Sequence, residues 1–451
     1  MKKAIAAVVA LLWAVCLPLS AGAAVLYDYP QEQELTAPSA MLVYLGVTQQ
    51  EDVVLFEKNA DAPYQTGALL RVAVGAYAMQ CIEQQKLDID TVTGTYTKTL
   101  FNHYVSGTGL GTANMTFGEK WTLRNLLAVC MVQTAADAAV TLAETLSGSV
   151  EAFVQGMNEM LQQIGCTKAH FENVTGKDAA ASVQTARDLY RITRHAADHA
   201  VLREMMSAPY VSVSPVSGGD KRGWPNTNQM LRSTSDHYYD KARYGRSGIG
   251  GEPGVQSAVT VASDGGYEYL AIVMGEANTS SGACFTQLKR LLKWGFSSFS
   301  YKTLLGKNEV VGRMPVSLSW DTDSVTLVAA EAFSGIVLNQ VEASAVRRQV
   351  TLYQQSAEAP IKQGQVLGKV ELFLQQDQKI GEVSLIAGQS LEKSVLLDLW
   401  ENKILRIITS PWLWIGLAVI AALIAGYVAL NVLHNRRRRK HKMKKMNRFR
   451  L

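Results

Sequence analysis

PYQTGALLRVAVGAYAMQCIEQQK, Pro63 to Lys86, is the stretch on which the reading of the fold turns. Small residues stand at its entrance. An apolar interior follows (Leu69, Leu70, Val72, Ala73, Ala76, Tyr77, Met79), and polar Glu83-Gln84-Gln85-Lys86 closes it. A segment apolar over most of its circumference predicts a buried helix, the central pillar of an α/β domain. Pillars of this kind often carry catalytic side chains on their first turn. Here that turn presents Ala68 and, three residues on, Arg71.

Upstream, Ala40 to Glu57 reads as two strands, AMLVYLGV and VVLFEK, separated by the polar turn Thr48 to Asp52. Downstream, Asp90 to Gly118 is rich in Thr and Gly without a clear period, and Ser106 to Gly111 reads as an exposed loop. Apolar residues at three-to-four spacing then predict helices from Thr122 to near Thr134, Ala135 to Leu146, Val150 to Ile164 and Thr185 to Ala197. Tyr244 to Glu276 returns to alternation, with VQSAVTVAS and YEYLAIVMG around Gly265-Gly266 predicting a hairpin. Cys284 to Phe296 predicts a closing helix. Between Glu309 and Leu391 the short runs VSLSW, SVTLVA, GIVLN, QVTLYQ, KVELFL and EVSLIA predict a small all-β module.

The ends of the chain carry different signals. Met1 to Ala23 combines Lys2-Lys3, an apolar run and the small residues Ala21-Gly22-Ala23, the pattern of a secretory signal peptide. Trp412 to Leu433 contains no charged residue and has the ~20 residues needed to cross a bilayer. The basic run Arg436 to Lys440 just beyond it belongs on the cytoplasmic side. Beside a membrane span this basic block reads as attracting anionic lipid rather than a nucleic-acid partner, and since ten of the 44 lysines and arginines lie at or beyond Arg436, the rest of the chain is mildly acidic. Ser390 to Thr409 is amphipathic, either a segment lying on the membrane surface or an ordinary linker helix. The expected order is a signal peptide (1–23), a loose N-terminus (24–36), a main domain (37–300) and a small β domain (301–391). An amphipathic linker (392–410), a transmembrane helix (411–433) and a basic tail (434–451) complete it.

Cys81, Cys130, Cys166 and Cys284 remain after signal removal, without metal-ligand spacing, and their pairing is left open. Cys81 and Cys130 lie in apolar helical patterns and read as small core residues. No nucleotide-binding glycine motif or paired His/carboxylate metal site is visible, and no cofactor is expected.

Taken together, these elements resemble the low-molecular-weight penicillin-binding proteins, the serine D-alanyl-D-alanine carboxypeptidases, over about Ala37 to Ala387. SAMLVYLGVTQQEDVVLFEKNADAPYQTG is similar to that family's opening hairpin and lead-in to the nucleophile helix. DAAVTLAETLSGSVEAFVQGMNEMLQQIGCTKAHFENVTG resembles the stretch after its second motif. TARDLYRI, NTNQML and YGRSGIGGEPGVQSAVTVAS resemble the approach to the third motif, and APIKQGQVLGKVEL its C-terminal β domain. The resemblance implies an α/β (α+β) β-lactamase/transpeptidase-like domain, a small all-β domain and a C-terminal transmembrane helix.

The family's chemistry rests on Ser-x-x-Lys, Ser-x-Asn and Lys-Thr-Gly. At the first motif this chain reads Ala68-Leu69-Leu70-Arg71. Alanine offers no nucleophile, and arginine stays protonated and cannot serve as a base. Moving the register to Thr66 does not help, since its three-residue partner is Leu69. The second motif reads Thr134-Ala135-Ala136, which keeps a hydroxyl and lacks the amide. The third reads Arg246-Ser247-Gly248, in which Arg246 is expected to bind a peptide carboxylate and Gly248 to let a peptide approach the strand. The resemblance thus implies a cell-wall protein with degenerate catalytic positions, most simply a pseudoenzyme that binds peptidoglycan stem peptides or a wall-synthesis partner. The competing readings are an active carboxypeptidase using an unrecognised nucleophile and a structural spacer.

Overall fold

The computed structural model describes residues 27–30, 35–46, 51–65, 67–251, 254–277, 282–374, 378–399 and 405–446. The expected signal peptide, Thr66, most of the turn at 47–50 and the last residues of the tail lie outside them. The chain divides into two units, one built from 1–302 with 336–341 and the other from 303–335 with 342–451. The second stretch of the first unit was not foreseen in the expected boundary at residue 300. Its physical basis is Ile336, which is buried in the same apolar cluster as Trp294 and Phe299.

In the first unit, strands β1 (Ser39–Leu45) and β2 (Val53–Lys58) lead into a 3-10 turn at Gly67–Leu70 and the pillar helix α1 (Arg71–Gln85). The α-helix proper therefore begins at Arg71, and Ala68 sits in the tighter turn before it. Lys86 ends α1 in the left-handed region at φ 55°, and the Leu87 amide donates back to Ile82. Next come β3 (Thr93–Thr95), β4 (Lys120–Thr122), α2 (Leu123–Val132), α3 (Ala136–Ser147), α4 (Val150–Gln163) and α5 (Ala186–Asp198). Thr122, Ser149 and Thr185 cap the N-termini of α2, α4 and α5 through their hydroxyls. A further helix, α6 (Ala200–Ser207), follows where the sequence pattern predicts none. His199, in extended geometry at ψ 108°, breaks α5 from α6 and binds Glu83 on α1 at 2.8 Å.

After the short pair β5 (Tyr210–Val213) and β6 (Arg222–Pro225) come the long strands β7 (Ala242–Gly250), β8 (Val255–Asp264) and β9 (Tyr267–Ala277), then helix α7 (Ala283–Ser298). The antiparallel sheet runs β2-β1-β9-β8-β7, so β7 forms an edge. Successive strand side chains point to opposite faces. Met41, Val43, Leu270 and Ile272 join the α1–α6 cluster, while Leu42, Tyr44, Tyr269 and Ala271 pack with Phe285, Leu288 and Trp294 of α7. Burial of both faces fixes the register, because a one-residue slip would exchange the two sets.

Strands β10 (Phe299–Leu305), β11 (Val310–Ser317), β12 (Ser324–Ala329), β13 (Phe333–Leu338), β14 (Arg347–Leu352), β15 (Ala357–Glu358), β16 (Val366–Phe373) and β17 (Lys379–Ala387) follow; the predicted β-type runs fall on β11 to β14, β16 and β17, and β10 and β15 match none of them. The second unit's sheet has the order β14-β16-β17-β12-β11-β15, around Met314, Val325, Leu327, Val370, Val383 and Leu385. VSLSW departs from strand after Ser317, where Leu318 turns the backbone to φ 62°. Short helices α8 (Val395–Asp398) and α9 (Leu405–Ile408) precede α10 (Pro411–Met446). Among the described residues, the stretch Pro411–Lys440 is long and apolar enough to cross a membrane. The helix runs on through the basic residues expected to form a separate tail, consistent with the high helix propensity of Arg, Lys and Met.

Candidate active site

Three segments far apart in sequence converge at the head of α1. Gly67 packs against the end of β7: a Cβ there would stand 1.8 Å from the Ile249 carbonyl oxygen, and its φ is +52°. Only glycine satisfies both conditions. Ala68, 9 % exposed, lies against Gly176, and a Cβ on Gly176 would stand 2.8 Å from the Ala68 amide nitrogen. On the α2–α3 side, the backbone leaves the helix at Gln133 and stays extended to Ala135. Thr134, at the bend, is half-buried, and its Oγ1 lies toward Gly111. Ala136 is fully buried at the start of α3, its amide donating to the Gly111 carbonyl at 2.8 Å.

Both substituted arginines point inward. Arg71 is fully buried, donating from Nη1 to the Ala135 carbonyl and from Nη2 to the Thr175 carbonyl, each at 2.8 Å. It thereby ties the pillar to the α2–α3 connection and to the loop before Gly176. Arg246 is also fully buried, donating from Nη1 to the Met131 carbonyl and from Nη2 to that of Gln133, the latter at 2.7 Å. Those carbonyls belong to the end of α2, where backbone acceptors lack intrahelical partners and a positive charge opposes the helix dipole favourably. Arg246 is a C-terminal cap of α2. The expected carboxylate-binding role therefore meets a guanidinium that is sealed from solvent and already bonded to backbone. Ser247 likewise turns inward, donating from Oγ to the Thr227 carbonyl at 2.9 Å. Gly248 lies buried in edge strand β7.

The electrostatics follow from this crowding. Burial, and then repulsion from Arg71, pulls Arg246 down to about 9. Burial also lowers Arg71, against the opposing pull of Cys130 and the Asp137 carboxylate. Cys130 is held up by burial, with the two arginine charges acting in the other direction. The Nε of each arginine has no hydrogen-bond partner. Asp137 is committed to the backbone, accepting from the amides of Ala113 (2.8 Å), Met115 (3.0 Å) and Ala138 (2.9 Å).

The arrangement holds no nucleophile at position 68 and no neutral amine at position 71, so it cannot open an acyl-transfer cycle through those two positions. A cavity of about 150 Å³, lined by His103, Tyr104, Asn173, Thr175 and Lys177 among others, adjoins the Thr175 segment but not Ala68 or either arginine. Cys130, Asp137 and the Thr175 carbonyl escape the sequence reading as site components. Asp137 had a visible signal in its place directly after the second motif; a carbonyl acceptor has none.

Comparison with known proteins agrees with this architecture. The family model of D-alanyl-D-alanine carboxypeptidase matches residues 27–278, and that of the penicillin-binding protein 5 C-terminal domain matches 299–393. D-alanyl-D-alanine carboxypeptidase DacC of Escherichia coli is 25% identical over 383 residues, covering 83% of this chain and 92% of its own. A Streptomyces D-alanyl-D-alanine carboxypeptidase is 28% identical over 253 residues, covering 54% and 82%. Among solved structures, penicillin-binding protein 5 of Haemophilus influenzae superposes with a TM-score of 0.58 at 23% identity, over 81% of this chain and all of that one. DacD of Francisella tularensis gives 0.60 at 18% identity, over 80% and 95%. With the matched model spanning more than half of its length, the chain belongs to the D-alanyl-D-alanine carboxypeptidase family, the low-molecular-weight penicillin-binding proteins.

Proposed function

We propose that this protein is a catalytically silent member of its family, held outside the membrane by its C-terminal helix, that binds peptidoglycan stem peptides or a wall-synthesis partner without cleaving them. The observation that carries the reading is the pair Ala68 and Arg71, the latter buried and bonded to the Ala135 and Thr175 carbonyls. Acyl transfer without nucleophile and base loses many orders of magnitude, more than binding alone recovers. The names of the relatives supply the peptide class, one ending in D-alanyl-D-alanine.

Recognition in this reading runs along the outer edge of β7, which among the described residues pairs in the sheet with β8 alone and carries Gly248 two residues from its end. Thr134 contributes a hydroxyl. Arg246 contributes by holding the end of α2 rather than by touching the peptide. The signal-like N-terminus and the basic residues after 433 support an exported body and a cytoplasmic tail.

The test is calorimetric titration of the purified full chain with a peptide ending in D-alanyl-D-alanine and with its all-L counterpart, for wild type and for Gly248→Val. Binding of the D-form that is lost in the variant supports peptide recognition. Absence of binding in wild type removes the peptide arm, and release of free alanine removes the silent one.

A further inference from the structure

The end of the second unit from which the chain departs toward α10 carries an apolar patch of its own. β11 stops at Ser317, and the buried Leu318 turns the chain. The Leu318 carbonyl accepts from the Ser394 amide at 2.7 Å, tying the β11–β12 turn to the segment just before α8. Two residues past that bond on one side stands Trp320, 72% exposed. Immediately past it on the other stand Val395 and Leu396, 72% and 71% exposed, with Leu399 following. Large apolar side chains on two segments joined by that bond are therefore exposed to solvent, although the unit has a buried core available to it.

We propose that this patch is an interfacial anchor that seats the β unit on the bilayer, with Trp320 in the boundary between headgroups and acyl chains. The proposal rests on reading α10 as a membrane span, which belongs to the function proposed above. Its occupant follows from the chain's course. Leu399 precedes Pro411 by twelve residues, a reach of at most about 40 Å even if fully extended, so the patch cannot stray far from the bilayer that the helix enters. Tryptophan is the side chain that favours this boundary, having an apolar body and one N–H to satisfy. Neighbouring charge sets the kind of lipid contact. Asp321 and Asp323 follow Trp320, while Lys393 is already paired with Glu358 and Asp398. The patch carries no surplus positive charge, so insertion is apolar and does not require anionic lipid.

The full chain is reconstituted in phosphatidylcholine nanodiscs and carries one nitroxide label at a time, through W320C, L396C, V310C or L423C. Val310 is the exposed start of β11, at the strand end away from the patch, and Leu423 lies within α10. Collision rates are measured with oxygen, which partitions into lipid, and with a water-soluble nickel chelate. The expected result is nickel accessibility at 320 and 396 several-fold below that at 310, oxygen accessibility above it, and 423 deepest of all. If 320 behaves like 310 while 423 stays in lipid, the patch proposal is overturned and the span stands. If 423 is also aqueous, the span reading fails and takes this one with it. Shielding of 320 from both reagents that disappears on dilution marks a second copy on the patch and overturns the proposal.

Discussion

Two fully buried arginines whose charges repel make a measurable claim. Arg71→Met removes two hydrogen bonds from a charged donor, each worth about 1.5–3 kcal/mol. It also removes a desolvated ion whose burial costs several kcal/mol. The single-variant effect is thus a difference of comparable terms, and the same holds for Arg246→Met. The coupling between them is cleaner. Arg71 is the like charge that acts on Arg246, and two unit charges about 10 Å apart at an effective dielectric of about 20 repel by about 1.7 kcal/mol. Each single variant relieves that repulsion, whereas the double variant can relieve it only once. The double variant should therefore be less stable than the sum of the singles predicts, by about 1–2 kcal/mol. Urea unfolding of the detergent-solubilised chain at pH 7, followed through tryptophan fluorescence, reads this coupling. A coupling near zero, or of opposite sign, would refute the reasoning, because it would mean that the two charges do not repel across the site.

Three further outcomes follow from the same geometry. Since Arg246 loses its proton near 9 when folded and in the ordinary arginine range when unfolded, the unfolded state holds more protons between those limits and stability rises with pH there. The stability of wild type relative to Arg246→Met should climb above pH 9 by something on the order of 1 kcal/mol per unit, and a flat difference from pH 8 to 10.5 contradicts this. Gly67→Ala meets the Ile249 carbonyl at a positive φ and should cost at least about 2–3 kcal/mol in urea unfolding. Asp137→Ala orphans three buried amides and should cost about 3–5 kcal/mol, with Asp137→Asn losing less, as read by melting temperature.

The architecture was largely legible because its signals are local and periodic. The apolar circumference of Leu69 to Ile82, the alternation in VQSAVTVAS and YEYLAIVMG, and the hydroxyl caps at Thr122 and Thr185 each belong to one segment. Helix α6 was not legible, because the break at His199 looks like an end unless its bond to Glu83 is known. Membership of Ile336 in the first unit depends on packing with Trp294 and Phe299, remote in sequence. At the site, the residue types at 68, 71, 134, 136 and 246 speak for themselves. What Arg246 does with its guanidinium was illegible, since its partners are the backbone carbonyls of Met131 and Gln133, and any sequence supplies carbonyls.

The central claim is that the first motif cannot form an acyl-enzyme. Its most direct test is the intact mass of the purified chain after incubation with a labelled β-lactam, alongside Ala68→Ser/Arg71→Lys. The account predicts an unchanged mass for the native protein at all times of incubation. A stable adduct of one β-lactam per native chain would contradict it, and mapping that adduct would name the nucleophile.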